Sequence, residues 1–415
     1  FLRELNFLRI MMRNNTPATE ETDSLDSYPV ERDSATPRCL VSHLKRKIST
    51  TGPMPFDQWM SECLYHPQWG YYSKGDSRVG REGDFFTSVS VGKCFGMLLS
   101  YRLADYYTSN QFEGQFDLIE LGANTGQLAC DILDSLRSEF PQLYQKVRYT
   151  ICEPLERMRK IQLTTLEEHC AIVEFHTTLN AIKQPKNQGV LLSNELIDAF
   201  PVKRITKKDD QWQELHVVND RDHFSCITEA IHSPTLSTFC DDLPQLSDGY
   251  TTEYRPGLEA FAQTCAKVLK QGMILTIDYG HIRSDYYAAR RSTGTLRTFY
   301  KQTADELPLK NPGEQDITAH VDFTQLARAY QSVGFEPHYF DSQSRFLIQT
   351  AKPWFKAIEN SQQQPPAKLI RQFQTLTHPG MMGNQFSVLE CSLHQTPDHS
   401  VLAKLELPET GTKTT

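Results

Sequence analysis

The 415-residue chain carries 43 Lys and Arg against 51 Asp and Glu, a formal net charge of -8, with 39% hydrophobic and 23% charged residues. That balance lacks the broad basic surface that releases counterions from nucleic acid, no stretch approaches the roughly 18 to 20 apolar residues of a bilayer span, and the length admits one large α/β domain with insertions or two modest ones. The ten cysteines are scattered singly from Cys39 to Cys391, without a C-x-x-C pair or a close His/Cys grouping, so free thiols are expected and no metal site.

Phe1 to Asn15 is basic and partly apolar, as a transit peptide is, but Glu4 interrupts it and acidic residues follow from Glu20, so residues 1–38 read as a disordered leader. Residues 39–110, rich in aromatics from Pro53 to Tyr107, precede the first strand and read as an N-terminal cap. From 111 to 350 short apolar runs alternate with amphipathic helical patterns, the signature of a doubly wound α/β core. Strands are expected at 116–121, 147–152, 171–176, 189–194 and 273–278. Leu128, Ile132, Leu133 and Leu136 recur at helical spacing, as do Leu258, Phe261, Cys265, Val268 and Leu269 before the stop signal Gly272. Between these helices, about 203–253, charged turns at 209–211 and 219–222 mark an inserted hairpin lobe.

Asp322 with Gln325 opens a helix bearing Phe323, Leu326, Ala327 and Tyr330, stopped at Gly334. Strands at 336–340 and 346–350, separated by a short turn, then form a hairpin. The fold expected is a Rossmann-like, seven-stranded, mostly parallel sheet with a terminal antiparallel hairpin. Residues 351–394 read as a C-terminal extension and 395–415 as a flexible tail.

Doubly wound sheets bind ligands beyond the carboxyl ends of their strands, and three motifs fall there. In Glu120-Leu121-Gly122-Ala123-Asn124-Thr125-Gly126-Gln127, Gly122 and Gly126 permit a tight turn and a close approach to a ligand, while the free N–H groups of the next helix receive an anion. Glu153 closes the second strand, where a carboxylate accepts both hydroxyls of a ribose; alone it would be a solvated strand end, and the glycine turn makes the ribose role the better reading. The turn lacks the G-x-G-x-x-G of a pyrophosphate site, so the methionine carboxylate of S-adenosyl-L-methionine suits it better than NAD, and an NAD-dependent oxidoreductase ranks last. Asn194-Glu195-Leu196-Ile197-Asp198-Ala199-Phe200-Pro201 follows the fourth strand; Glu195 and Asp198, three apart, share a face on a short helical turn that Pro201 stops. Farther on come Asp278-Tyr279-Gly280 and Gln315 to Phe323, where His320 is a secondary candidate for general base beside a more ordinary packing role.

These segments, together with Gly70-Tyr71-Tyr72, Gly83-Asp84-Phe85, Thr87-Ser88 and Gly294-Thr295-Leu296, resemble the MidA-type class I methyltransferases over roughly Pro53 to Leu389. That family occurs in bacteria and, in mitochondria, as an assembly factor for respiratory complex I. The resemblance implies S-adenosyl-L-methionine as cofactor, methylation of a protein arginine, and a protein substrate such as a respiratory-complex subunit. It implies a cytoplasmic setting for a bacterial chain and the mitochondrial matrix otherwise. By the same resemblance Gly83, Asp84, Thr87 and Ser88 close the cofactor site from the cap, and Asn194 serves both cofactor and acceptor. Glu195 and Asp198 are then the clamp on a substrate guanidinium, with Phe85 and Tyr279 facing the sulfonium or adenine. The family usually has Gly-x-Gly-x-Gly in the turn; here Asn124 stands at the middle glycine, and asparagine tolerates left-handed backbone better than other side chains. The alternative is a non-catalytic assembly factor that keeps the fold and grips a partner.

Overall fold

The computed structural model describes residues 39–74, 87–221, 223–300, 303–361, 365–393 and 395–408. In its main sheet the two-residue strand Val321–Asp322 lies parallel beside Gly280 and His281, and seven longer strands make up the rest. They are β1 (Phe116–Leu121), β2 (Val147–Cys152), β3 (Val173–His176), β4 (Gly189–Asn194), β5 (Gly272–His281), β6 (Phe335–Ser342) and β7 (Phe386–Leu393). Their order across the sheet is β3-β2-β1-β4-β5-β7-β6. Neighbours from β3 to β5 pair in parallel, and β7 is antiparallel to both β5 and β6.

The order reverses between β1 and β4, so the crevice where a doubly wound sheet takes its ligand lies beyond those two strands. Alternate residues of each strand enter opposite cores. Leu118, Val190, Leu192 and Leu275 pack with Phe95, Leu98, Leu128 and Ile132 on one face. Ile119, Leu191 and Ile274 pack with Leu258, Phe261, Phe323 and Leu326 on the other.

The terminal antiparallel pair exists, but its second strand is not where the sequence pattern put it. Residues 346–350 belong to the helix Gln343–Thr350, whose N-cap Ser342 accepts a hydrogen bond from the Arg345 N–H. Phe346, Leu347 and Thr350 are buried at helical spacing. The partner of β6 is β7, reached after two more helices, Lys352–Ser361 and Ala367–Thr377. The core therefore does not end at 350: a strand from the expected C-terminal extension lies inside the sheet. Nor is 395–408 a free tail, since the helix His399–Lys404 buries Val401 and Leu402, with Leu405 and Leu407 after it, against the second core.

The inserted lobe is an antiparallel sheet of Lys203–Lys208, Gln211–Asp220, His223–Ala230 and Thr251–Tyr254, joined by Met54–Pro55 from the N-terminal segment. Asp209 and Asp210 turn its first hairpin with φ of 51° and 59°, the paired left-handed conformation that matches strand twist. The expected cap, 39–110, divides in two. Leu40–Thr51 and Phe56–Tyr65 share a core with Val202 and Val217 of the lobe, whereas Cys94–Ser109 covers the main sheet. A three-stranded sheet of Arg297–Tyr300, Thr303–Asp305 and Asp316–Thr318, not anticipated from the sequence, adds Ile317 to the core shared by Leu40–Thr51 and Phe56–Tyr65.

Candidate functional site

The turn after β1 alternates backbone handedness. Gly122, Asn124 and Gly126 have φ of 72°, 45° and 81°, which accounts for the glycines at its ends and the asparagine between them. Gly126 caps the helix Gln127–Glu139, so the first N–H groups of that helix open toward the turn. Gln162, fully buried on the helix Glu156–Thr165, donates to the Asn124 carbonyl at 2.7 Å and to Glu153 Oε2 at 3.4 Å. Its amide thereby ties the glycine turn to the carboxylate at the end of β2. Glu153 also accepts the Leu155 N–H at 2.9 Å, and burial raises its pKa. Glu120 accepts the Tyr149 hydroxyl at 2.8 Å, and burial pushes it up to about 7.

Across the crevice, Asn194 ends β4 and Glu195 turns the chain with φ of 52°. Glu195 is therefore not on the helical turn expected to carry it; that turn is Ile197–Ala199, and the left-handed corner before it brings the Glu195 carboxylate into the same acidic group as Asp198. Asp278 on β5 holds the loop: its Oδ2 accepts the backbone N–H groups of Leu196, Ile197 and Asp198 at 3.2, 2.8 and 3.3 Å. Glu195 Oε1 accepts the Ser88 N–H at 3.3 Å and the Asn194 amide at 3.1 Å.

The electrostatics follow from this crowding. Burial, with the charges of Asp278 and Asp316 adding, pushes Glu195 up to about 8. Burial with Asp278, Asp316 and Glu195 nearby raises Asp198 well above the carboxylate range, and Asp278 rises to about 6. Arg255 is the cation that lowers Asp198 and Asp278, and its own amino groups donate to the Ala319 and His320 carbonyls. Asp316 accepts the Tyr72 hydroxyl at 2.8 Å, and Tyr72 stacks on Tyr65, whose hydroxyl donates to the Ala199 carbonyl at 2.7 Å.

Thr87 caps the short helix Ser88–Val91. The Ser88 hydroxyl donates to Gln343 at 2.9 Å while its N–H meets Glu195. Gly83, Asp84 and Phe85 lie outside the described residues. Tyr279 packs on Phe386 and lies near the acids, which with burial raise its pKa; His320 stacks near it at 6.3 Å. Asp316, the capping role of Asp278, Gln162, Arg255, Tyr65 and Tyr72 were not singled out in the sequence. Asp278, Asp316 and Tyr72 stood inside motifs already noted, but only the folded chain shows what they touch.

Two groupings of metal-ligand type lie elsewhere among the described residues, and several of their donors already have partners. In His43–Glu62–His66, Lys47 is 2.7 Å from Glu62, and His66 Nδ1 accepts the N–H groups of Gln68 and Trp69. In Cys130–Asp134–His169, Tyr144 bonds His169 Nδ1 at 2.8 Å and Arg137 pairs with Asp134 at 2.7 Å.

Among the described residues, Gln162 Oε1, Asn194 Oδ1 and Glu195 Oε2 are buried without a hydrogen-bond partner. Buried orphan acceptors are costly unless a donor arrives, and these three flank the crevice. With Glu153 and the left-handed turn, they fit a ligand that has an α-amino acid at one end and a ribose at the other.

Residues 98–340 match the family model described as "Putative S-adenosyl-L-methionine-dependent methyltransferase". The chain is 28% identical over 382 residues to the mitochondrial protein arginine methyltransferase NDUFAF7 homolog of Drosophila melanogaster, covering 84% of each chain. It is 27% identical to the mitochondrial protein arginine methyltransferase NDUFAF7 of Rattus norvegicus, over 90% of this chain and 88% of that one. It superposes with a TM-score of 0.75 and 28% identity on a Burkholderia thailandensis protein crystallised with S-adenosyl-homocysteine, covering 85% of this chain and 91% of that one.

Proposed function

The chain belongs to this family of S-adenosyl-L-methionine-dependent methyltransferases, of the MidA type, and from that premise we propose that it methylates an arginine side chain of a protein substrate. The observation that carries the reading is the acidic group Glu195, Asp198, Asp278 and Asp316 beside the glycine turn, with Arg255 as the cation acting on it. Such a group favours a cationic guest, and a planar guanidinium satisfies several carboxylates at once. The names of the Drosophila and rat relatives, both mitochondrial protein arginine methyltransferases, support the same acceptor and a mitochondrial setting, and the proposal extends this to the matrix and to a respiratory-complex subunit as substrate.

S-adenosyl-L-methionine, when bound, supplies a methyl group made electrophilic by its sulfonium. Gly122 and Gly126 seat the amino-acid end, Glu153 holds the ribose, and Gln162 keeps the two at fixed separation. Thr87 and Ser88 close the site from the side of Glu195. An arginine stays protonated in water, its pKa above about 12, so the attacking nitrogen needs its share of the charge drawn elsewhere. Glu195 and Asp198 do this by holding charge on the nitrogens they contact, leaving the third aligned for attack. Asn194, next to both halves of the site, fixes the Glu195 carboxylate.

The test is transfer of a labelled methyl group to proteins of a mitochondrial extract, followed by hydrolysis and identification of methylarginine. A Cβ at Gly122 would sit 3.0 Å from Leu196 Cδ1 in a left-handed backbone, so Gly122→Val is expected to lose cofactor binding and labelling together. Glu195→Gln is expected to keep the cofactor and lose at least ~100-fold in rate, the scale of one electrostatic catalytic contact. Equal labelling by wild type and both variants rejects the site.

A further inference from the structure

Methylation adds a carbon to a nitrogen that keeps its hydrogens, so one N–H proton must leave before the guanidinium returns to a single positive charge. The acids of the clamp are poor carriers for it, because they hold the substrate's remaining charge. A second hydrogen-bonded group lies beside them. His320 follows Ala319, whose N–H donates to the Asp198 carbonyl at 3.0 Å, and its ring stacks near Tyr279. His320 Nδ1 is 3.1 Å from His281 Nε2, and His281 Nδ1 is 3.0 Å from Asp285 Oδ2.

The tautomers of this chain follow from its neighbours. Arg291 places a guanidinium nitrogen 2.9 Å from His281 Nε2, and a guanidinium only donates, so that imidazole nitrogen is an acceptor. The proton of neutral His281 then sits on Nδ1, where the Asp285 carboxylate receives it. Because His281 Nε2 accepts, His320 Nδ1 must be the donor, and His320 Nε2 is left with a bare lone pair. Asp285 is itself held by Arg290 and by Arg291 at 3.2 Å. Side-chain exposure rises outward along the chain, from 23% at His281 to 36% at Asp285.

We propose that His320, His281 and Asp285 form a proton relay, with His320 Nε2 taking the proton from the newly methylated nitrogen and the other two residues positioning His320 and passing the proton to solvent. This rests on the methyltransferase reading above. The N–H bond breaks with its electron pair left on the guanidinium, and an N–H bond forms at His320 Nε2. The Nδ1 proton of His320 moves to His281 Nε2, and the Nδ1 proton of His281 moves to Asp285 and then to water. Burial, then the neighbouring His281 and the cations Arg297, Arg291 and Arg255, hold His320 down to about 3, and burial with Arg291 and Arg290 holds His281 down to about 4. Neither ring stores the proton, as handing it on requires.

The experiment uses the full chain, labelled S-adenosyl-L-methionine and mitochondrial extract as acceptor, with cofactor affinity measured by calorimetry on each variant. His320→Ala is expected to bind the cofactor as wild type does and to label about 100-fold more slowly, the lower end of a general-base contribution, with added imidazole restoring part of the rate. His281→Gln, which offers an acceptor to His320 without passing a proton, is expected to fall between wild type and His281→Leu. Wild-type labelling by His320→Ala overturns the relay, and so does a loss that imidazole leaves unchanged while the cofactor still binds. Loss of cofactor binding in both His320→Ala and His320→Gln assigns the residue to structure and overturns it as well. A wild-type protein that binds the cofactor and labels nothing overturns the methyltransferase reading itself, a result distinct from all of these.

Discussion

Glu195 shows how one side chain ties activity to stability. Its pKa in the folded protein is about 8, above the ordinary carboxylate value, so the folded state binds this proton more tightly than the unfolded chain. The contribution to stability is therefore complete below about pH 4.5 and is lost as pH rises to about 8, while the ionised form that grips a guanidinium appears over the same interval. Labelling should climb with pH through that window, and Glu195→Gln should melt higher than wild type at pH 8.5 with the difference gone near pH 4.5. Calorimetry reads this as roughly 2 °C for each kcal/mol relieved. A variant that melts lower than wild type at both pH values would show that the buried Oε2 is already paid for by a contact inside the fold.

Among elements, the joint between the helix Cys94–Ser109 and β7 adds a charged contact to a strand already paired on both sides. Arg102 donates from Nε and a terminal nitrogen to both oxygens of Glu390, at 2.8 and 2.7 Å, and Glu390 is 1% exposed. Although burial opposes it, Arg102 with His338 draws Glu390 down to about 2, so the pair stabilises fully above about pH 4.5 and fades as pH falls toward 2. Arg102→Met leaves that charge buried alone and should cost about 3–5 kcal/mol, seen as a lower Tm at pH 7 and little change at pH 2. This joint was not legible in the sequence. The five parallel strands were, because each carries a short apolar run bounded by polar or glycine residues, and so were the glycine turn and the Asn194 to Pro201 motif. Residues 346–350 were misread because the apolar run Phe346-Leu347-Ile348 followed by Thr350 satisfies strand and helix spacing alike over so short a span. β7 was missed because it lies within residues 351–394, which read as an extension beyond the core. Asp316, Gln162 and Tyr72 meet their partners across the fold, Asp316 with Tyr72 and Gln162 with Asn124, which no local pattern records.

In the molecule as a whole, the two halves of the proposed site are carried by different parts. The main sheet bears the turn, Glu153 and Asn194, whereas Tyr65 and Tyr72 come from the N-terminal segment that packs with the lobe. Lys203 fastens those pieces, 2.8 Å from Glu214 and 3.2 Å from Asp57 in a buried triad. Lys203→Met should raise the KM for acceptor protein several-fold and lower the Tm while leaving cofactor affinity near wild type; an equal loss of cofactor affinity would show the halves to be one unit. The position of β7 also bears on synthesis. Residues 386–393 fill the gap between β5 and β6, so while the chain is still emerging from the ribosome the growing sheet keeps an open β5 edge until almost all of it has been translated. Such an edge invites pairing with other nascent chains. A truncation upstream of 386 would thus yield aggregates for chaperones and proteases to clear rather than a smaller working enzyme.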